Sequence, residues 1–381
     1  MAIVADLGVL KEILKHFPKR CNYAFAYGSA VFAQSQTHEQ PKPGKMIDLV
    51  FVVNDPVEWH TENLSMNKSH YSKLRYFGAK TIASTQERMA CGVYYNPYCK
   101  VGDLGTKVKY GVISTSTLEE DLRNWTHLYV AGRLQKPVLS LKQPSLGLED
   151  AIRKNHQTAL RAVLLQEGIQ MTKRKLYEGI CELSYLGDTR MLFAENPRKI
   201  ANIVEPLIKE FDHIYAPLVN ATGYAHFTEK GVVIQDISPA ARFKLLMTLP
   251  VPLQISLAKQ HCRDPRFYDI EDIMAELSYL PDLRLHIRAA ISEIVRAASI
   301  RQTLQGVLTA GVFKSILYAK DKLKKGVEGR RKAPVPSLPS PPPSDTDDKQ
   351  SNVSQTIKTE VIRDNISKAE KGKDLQLPPP K

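Results

Sequence analysis

The sequence predicts an α/β N-terminal part, then a mainly helical second part, a basic amphipathic segment and a disordered tail. Three features predict it. Short apolar runs of strand length (residues 23–27, 46–53, 90–95 and 107–114) alternate with helical patterns through the first 145 residues. Helical periodicity takes over from about Leu148. From Ala333 the chain reads APVPSLPSPPPSDTDD and ends in LPPPK, with too few large apolar residues to build a core.

Taken in order, residues 7–17 (LGVLKEILKHF) set Leu7, Leu10, Ile13, Leu14 and Phe17 at helical spacing with basic residues opposite, and Pro18 stops the helix. A strand YAFAY follows, then a Gly28-Ser29 turn, a Pro- and Gly-rich excursion over 35–45 and a second strand over 46–53. Residues 118–131 predict a helix. In the second part HQTALRAVLLQEGI and RFKLLMTLPVPLQISLAKQ are the clearest helical patterns, and 224–237 predicts a strand or small hairpin around Gly231-Val232-Val233-Ile234. This combination is winged-helix-like. The expected boundaries are 1–145, 146–285, a basic amphipathic membrane-associating region over 286–332, and a tail over 333–381 whose Pro336-Ser337-Leu338-Pro339 reads as linker.

A chain of 381 residues, 43% hydrophobic, can bury the cores of two domains. No window offers the run of about 18 apolar residues that a spanning helix needs, so membrane contact is expected to be peripheral. The five cysteines (Cys21, Cys91, Cys99, Cys181 and Cys262) show neither C-x-x-C pairs nor histidines at zinc-like spacing, which argues against a disulfide framework or a zinc site. A formal charge of +13 points to an anionic partner: nucleic acid, anionic lipid or nucleotide phosphate. Much of that charge is concentrated, since Lys314, Lys320, Lys322, Lys324, Lys325, Arg330, Arg331 and Lys332 face only Asp321 and Glu328. Near the N-terminus Lys11, Lys15, Lys19 and Arg20 are mixed with Asp6 and Glu12, which is not the pattern of a cleavable transit peptide.

The sharpest chemical signal is Tyr27-Gly28-Ser29 directly after a strand, followed by Asp48 in the next one. Gly28 lets the backbone approach phosphate oxygens, while the Ser29 hydroxyl and the turn N–H groups form a small anion nest. Alternation in IDLVFVV puts Asp48 on one face with Val50 and Val52, a lone carboxylate in an apolar run, where a metal or cation explains it better than packing does. An edge or cap residue is the plainer alternative. Asp55, in Asn54-Asp55-Pro56, reads as a turn residue rather than a second ligand. Lys107 and Lys109 alternate along KVKYGVIS, and Lys109 is the candidate triphosphate cation unless this is a solvated edge strand. Arg133 and Lys136 follow LYVAG, placed either to meet nucleotide or lipid phosphate or to close a helix C-terminus. His70 and Tyr71, in SHYS, line a pocket or serve the structure.

YGSAVF followed by MIDLVFVV resembles the nucleotidyltransferase pattern of a Gly-Ser turn and an acidic strand. With NDPVEWH, SHYS, GVYYN, VKYGVIST, DLRNW, LYVAGRLQKPV and RQTLQGVLTAGVFKS, the chain resembles the mitochondrial CDP-diacylglycerol synthase family, the translocator assembly and maintenance proteins, over residues 23 to about 318. Two positions depart from the pattern. Ala30 stands where the family generally has Gly, and Val50 where nucleotidyltransferases carry a second carboxylate.

The resemblance implies a nucleotidyltransferase-like first domain that converts CTP and phosphatidic acid to CDP-diacylglycerol and pyrophosphate, supplying cardiolipin synthesis. It also implies Mg²⁺ on Asp48 (with Mn²⁺ or Co²⁺ as alternatives), nucleotide contacts from Gly28, Ser29, Lys109, Arg133 and Lys136, and a peripheral place on the matrix side of the mitochondrial inner membrane. Residues 299–325 suit that place. There Ile300, Leu304, Val307, Leu308, Phe313, Ile316 and Leu317 group on one side of a helix with lysines flanking, ready for an anionic membrane surface. Nucleic acid is not expected, because no interleaved aromatic and basic stacking motif is present. An RNA-directed nucleotidyltransferase and a non-enzymatic assembly factor for mitochondrial protein import stay open as alternatives.

Overall fold

The computed structural model describes residues 3, 5–32, 46–89, 91–102, 105–188, 198–261 and 269–310, with only the backbone for 307–310. Helix α1 (Leu7–Lys15) is capped by Asp6, whose carboxylate accepts from Gly8 N and Val9 N, and it buries Leu10 and Ile13. The chain then enters a five-stranded sheet in the order β3-β4-β2-β1-β5. Its strands are β1 (Tyr23–Tyr27), β2 (Ile47–Val53), β3 (Val93–Lys100), β4 (Lys107–Ser114) and β5 (Leu139–Lys142). β2 and β4 run parallel and the other neighbours antiparallel. Nearly every residue of β1 and β2 is buried, because helices cover this sheet and its central strands have no solvent face.

Helices α2 (Pro56–Met66) and α3 (Gly78–Met89) connect β2 to β3. Asp55 caps α2, accepting from Val57 N at 2.8 Å and Glu58 N at 3.0 Å. It is therefore the turn residue that the sequence suggests, and it lies at the opposite end of β2 from Asp48, roughly 20 Å along the strand.

The helix expected over 118–131 is two pieces, α4 (Thr115–Asn124) and the short α5 (Ala131–Leu134). Between them Trp125 and Leu128 adopt φ of +54° and +51°, which no continuous helix tolerates. Asp121 organises this break. Its buried carboxylate accepts from His127 N, Leu128 N and Ala131 N at 2.7–3.0 Å. Trp125 Nε1 donates to Asn155 Oδ1 at 2.9 Å, and Asn155 Nδ2 returns to Ala131 O at 2.9 Å. Apolar spacing could not reveal this arrangement, because a buried aspartate does the work.

The second part begins with α6 (Leu146–Leu164), followed by β6 (Gln170–Thr172), α7 (Lys173–Leu183), α8 (Lys199–Val204), α9 (Ile208–Ala221), β7 (Ala225–Phe227) and β8 (Val232–Gln235). The expected hairpin is β7–β8, and β6, too short to announce itself, makes it a three-stranded antiparallel sheet in the order β6-β8-β7. Helices α10 (Pro239–Met247), α11 (Val251–His261) and α12 (Ile270–Tyr279) lead into α13 (Leu283–Ala310).

Helix α13 begins earlier than the basic region expected from 286. Its first half is core, through Leu283, Ile287, Ala290, Ile291 and Val295, and Arg288 clamps Glu182 of α7 at 2.7 and 2.9 Å. Farther along the burial inverts. Ser299, Gln302 and Gln305 are buried while Ile300 and Leu304 are 47% and 64% exposed. The polar face packs inward: Ser299 Oγ donates to Asp188 Oδ1 at 2.8 Å, and Gln305 Nε2 reaches Thr85 O of α3. The rest of the expected amphipathic segment from residue 311, and the tail over 333–381, lie outside the described residues. Among the described residues no helix is long and apolar enough to cross a membrane.

Candidate active site

The end of β1, the start of β2 and the start of β4 meet at one end of the sheet's central strands. Asp48 is register partner to Tyr27 on one side and to Lys109 on the other. Gly28 takes φ +86°, which an L side chain resists, and a Cβ there would lie 3.2 Å from Asp48 Oδ2. Glycine thus brings the turn onto the carboxylate. Val31 N and Phe32 N both donate to Gly28 O at 3.0 Å, so these two N–H groups close the turn and the anion nest is narrower than expected. Ser29 is half-buried in that turn. Ala30 is buried and is absent from the positive-φ residues, so the departure from Gly costs the backbone nothing.

Lys109 stands on an internal strand, which removes the edge-strand alternative. Its Nζ lies 3.6 Å from Asp48 Oδ1 and 4.5 Å from the centroid of the Tyr95 ring. Tyr95 fits because its register partner is Gly111, where a Cβ would come within 2.6 Å of the ring. Lys107, two residues earlier, is exposed and paired in register with Lys100. Val50, at the place of a second carboxylate, is 1% exposed and packed in the core.

Arg133 arrives from α5, its guanidinium carbon 4.4 Å from the centroid of the Tyr27 ring. The four-residue helix that carries it is held from several sides: Tyr215 OH donates to Gln135 O at 2.7 Å, and His156 bonds Leu134 O at 2.7 Å. Lys136 is almost fully buried. Its Nζ donates to Gly132 O and to Ser184 Oγ, each at 2.7 Å, so it braces the helix end and adds its charge from within.

Two residues invisible to sequence reasoning complete the cluster. Tyr185 lies under Lys136 and Lys199, whose Nζ atoms sit 5.0 and 4.6 Å from its ring centroid. Its hydroxyl is buried with no hydrogen-bond partner among the described residues. Burial alone would raise this phenol, but Lys199, Arg133 and Lys136 outweigh it and bring the pKa down to about 8. The opposite holds for Tyr27, raised chiefly by burial despite Lys109 and Arg133. Lys136 is lowered, chiefly by burial and further by Arg133 and Lys199. No local motif marks Tyr185 or Lys199; they join the site only through the packing of α7 and α8.

His70 and Tyr71 belong to the framework. Tyr71 OH meets His60 Nδ1 and Asn63 Nδ2 at 2.8 Å, and His70 bonds Tyr110 OH and Lys100 O. Both are buried and engaged, which matches the structural alternative for SHYS.

Among the described residues the site is therefore a half-buried carboxylate facing Lys109, with Arg133, Lys136 and Lys199 beyond it, a cluster of positive charge that can attract an anion. Its donor set suits Mg²⁺. Asp48 supplies a hard oxygen, and among the described residues no three His, Cys, Asp or Glu gather into a cage. Mg²⁺ is commonly held by one or two carboxylates together with substrate phosphates.

Comparison with known proteins identifies the family. The family model described as phosphatidate cytidylyltransferase, mitochondrial, matches residues 10–325. The mouse protein of that name is 42% identical over 326 residues, covering 84% of this chain and 95% of its own. The Xenopus laevis protein is 39% identical over 324 residues, with coverage of 84% and 95%, and that of Schizosaccharomyces pombe is 36% identical over 337 residues, with 84% and 83%. A match of this extent shows that the chain belongs to the mitochondrial phosphatidate cytidylyltransferase family.

Proposed function

We propose that this protein transfers the cytidylyl group of CTP to phosphatidic acid, forming CDP-diacylglycerol and pyrophosphate. The observation that carries the proposal is Asp48 set between Tyr27 and Lys109, with Arg133 stacked on Tyr27, in a chain of this family. We read the five-stranded sheet as nucleotidyltransferase-like and the helices around β6, β8 and β7 as winged-helix-like.

In the reaction a phosphatidate oxygen forms a bond to the α-phosphorus of CTP. The bond from that phosphorus to the bridging oxygen breaks, and pyrophosphate leaves with the electron pair. Lys109, Arg133 and Lys199 hold the triphosphate, and the buried Lys136 adds its charge from behind them to offset what builds on the leaving group. The lipid phosphate is already ionised near neutral pH, so no side chain has to remove a proton from it. On this reading Asp48, with no second carboxylate beside it among the described residues, is enough where a hydroxyl nucleophile would call for more. A Mg²⁺ ion held by Asp48 supplies charge neutralisation on the phosphates when bound.

The lipid substrate places the enzyme at a membrane surface, on this reading the matrix side of the mitochondrial inner membrane, where its product feeds cardiolipin synthesis. Supporting this are the outward-facing Ile300 and Leu304 of α13 and the eight basic residues that follow within 314–332.

The test is CTP labelled at the α- or γ-phosphorus, incubated with phosphatidic acid vesicles and Mg²⁺. The α label is expected in the lipid fraction and the γ label in pyrophosphate. Label in added RNA, or none in lipid from a folded protein that binds CTP, would favour the RNA-directed or assembly-factor alternatives.

A further inference from the structure

The connection between α2 and α3 carries a feature that the transfer reaction does not use. Tyr76 and Phe77 are adjacent, large and apolar, yet 69% and 70% exposed. Around them stand Lys68, Lys73, Arg75 and Lys80, with no Asp or Glu anywhere from Asn63 to Gln86. Lys68, Lys73 and Lys80 are exposed, and Arg75 covers the Tyr76 ring, its guanidinium carbon 5.0 Å from the centroid.

The tip has hydrogen-bonded structure of its own. Lys73–Phe77 form a 3₁₀ turn entered through Ser72, whose hydroxyl accepts from Leu74 N. Arg75 Nη1 donates to Lys68 O at 3.3 Å, closing the base of the tip. Leu74 turns inward onto the small core of Tyr71, Ile82 and Tyr94, leaving the two rings pointing away from it. Below, His70 bonds Lys100 O, and Lys100 is the register partner of Lys107, two residues before Lys109 on β4. The tip is thus tied to the end of the sheet at which Asp48 lies. Gln305 of α13 reaches Thr85 of α3, the helix that Phe77 leads into, so the end of α13 with exposed Leu304 packs on the same element.

We propose that residues 68–80 are a second membrane-docking element, in which Tyr76 and Phe77 enter the interface of an anionic bilayer while Lys68, Lys73, Arg75 and Lys80 meet its phosphates. Aromatic rings favour the headgroup level, and clustered cations on one surface fit anionic lipid. With α13 as the other contact, the two elements would fix the orientation of the active-site end toward the lipid instead of merely tethering the chain. The inference rests on the reading of phosphatidic acid as substrate, and its test separates the two.

The full chain, Tyr76→Ser/Phe77→Ser and Lys68→Glu/Lys73→Glu are compared for flotation with phosphatidylcholine vesicles with and without phosphatidylglycerol. Wild type should float with the anionic vesicles. Both variants, altered only at exposed side chains, should bind at least about tenfold more weakly. The fluorescence emission of Phe77→Trp should move to shorter wavelength with the anionic vesicles alone. Activity on a short-chain phosphatidic acid dispersed in water should be equal in wild type and Tyr76→Ser/Phe77→Ser, whereas activity on vesicles should fall with binding. Undiminished flotation of both variants, or an unshifted Phe77→Trp emission on vesicles that bind the chain, would overturn the proposal. Preferential binding of single-stranded RNA over vesicles, lost in these variants, would overturn it as well. If no phosphatidic acid in any form is converted, the substrate reading fails while the flotation difference still decides the docking element.

Discussion

Asp48 Oδ1 lies 3.6 Å from Lys109 Nζ, across the register of two parallel strands. Both side chains are partly exposed, so the pair adds about 1 kcal/mol of stability at most. On the proposed function, its value lies in placing a carboxylate and a cation where a triphosphate can reach both. Lys109→Met should leave the melting temperature within a few degrees of wild type yet lower kcat/KM for CTP by about a hundredfold. Steady-state kinetics beside thermal denaturation checks the split, and equal activity would remove Lys109 from the triphosphate site.

Gly28→Ala forces a side chain onto φ +86° and toward Asp48 Oδ2. The expected cost is about 1–2 kcal/mol of stability together with most of the activity. Ala30→Gly makes the informative contrast. Its backbone needs no left-handed conformation, so a glycine there should bring no gain in activity.

Tyr185 should titrate with a midpoint of about 8, below the ordinary phenol value of 10, because Lys199, Arg133 and Lys136 overcome the effect of burial. A depressed pKa adds stability that is complete above the unfolded-state value and lost as pH falls through about 8. Ultraviolet difference absorbance of the phenolate follows it, with Tyr185→Phe as the blank. Bound CTP phosphates would satisfy the same cations, so the midpoint should rise on adding CTP. No change would place the nucleotide elsewhere.

His60 is buried, His156 is half-buried, and both are neutral, burial outweighing the Gln86 and Leu134 contacts and setting each pKa at about 4. In the unfolded chain they titrate near 6.5. Their contribution to stability is therefore complete above that pH and lost as pH falls from 6.5 toward 4, by up to roughly 3 kcal/mol each. Urea denaturation across this range should show the decline, with a shallower slope in His60→Gln and in His156→Gln.

What the sequence conveyed here follows from which interactions are local. YAFAY, IDLVFVV and KVKYGVIS announce strands by their own side chains, and a Gly-Ser turn before an acidic strand points to Asp48 without any tertiary knowledge. The contact of Lys109 with Asp48 was half legible: alternation gave its face, but only the internal position of β4 made it a neighbour of the carboxylate. The helix break at Trp125 was hidden because a buried Asp121, not a Gly or Pro, creates it. Tyr185 and Lys199 lie more than 130 positions from Asp48 in sequence and join the site only through the packing of α7 and α8. The burial of Gln302 and Gln305 beneath exposed Ile300 and Leu304 reverses ordinary amphipathic expectation, since α13 packs by hydrogen bonds at its outer end.

The central claim is that Asp48 serves catalysis rather than architecture. The most direct measurement is CDP-diacylglycerol formation by wild type and Asp48→Asn, with and without Mg²⁺, at CTP concentrations that saturate each protein. Loss of about a hundredfold or more in Asp48→Asn with its fold intact, and none of the wild-type rate without the metal, is the predicted result. Asp48→Asn working at the wild-type rate would contradict the account and return Asp48 to a purely structural role.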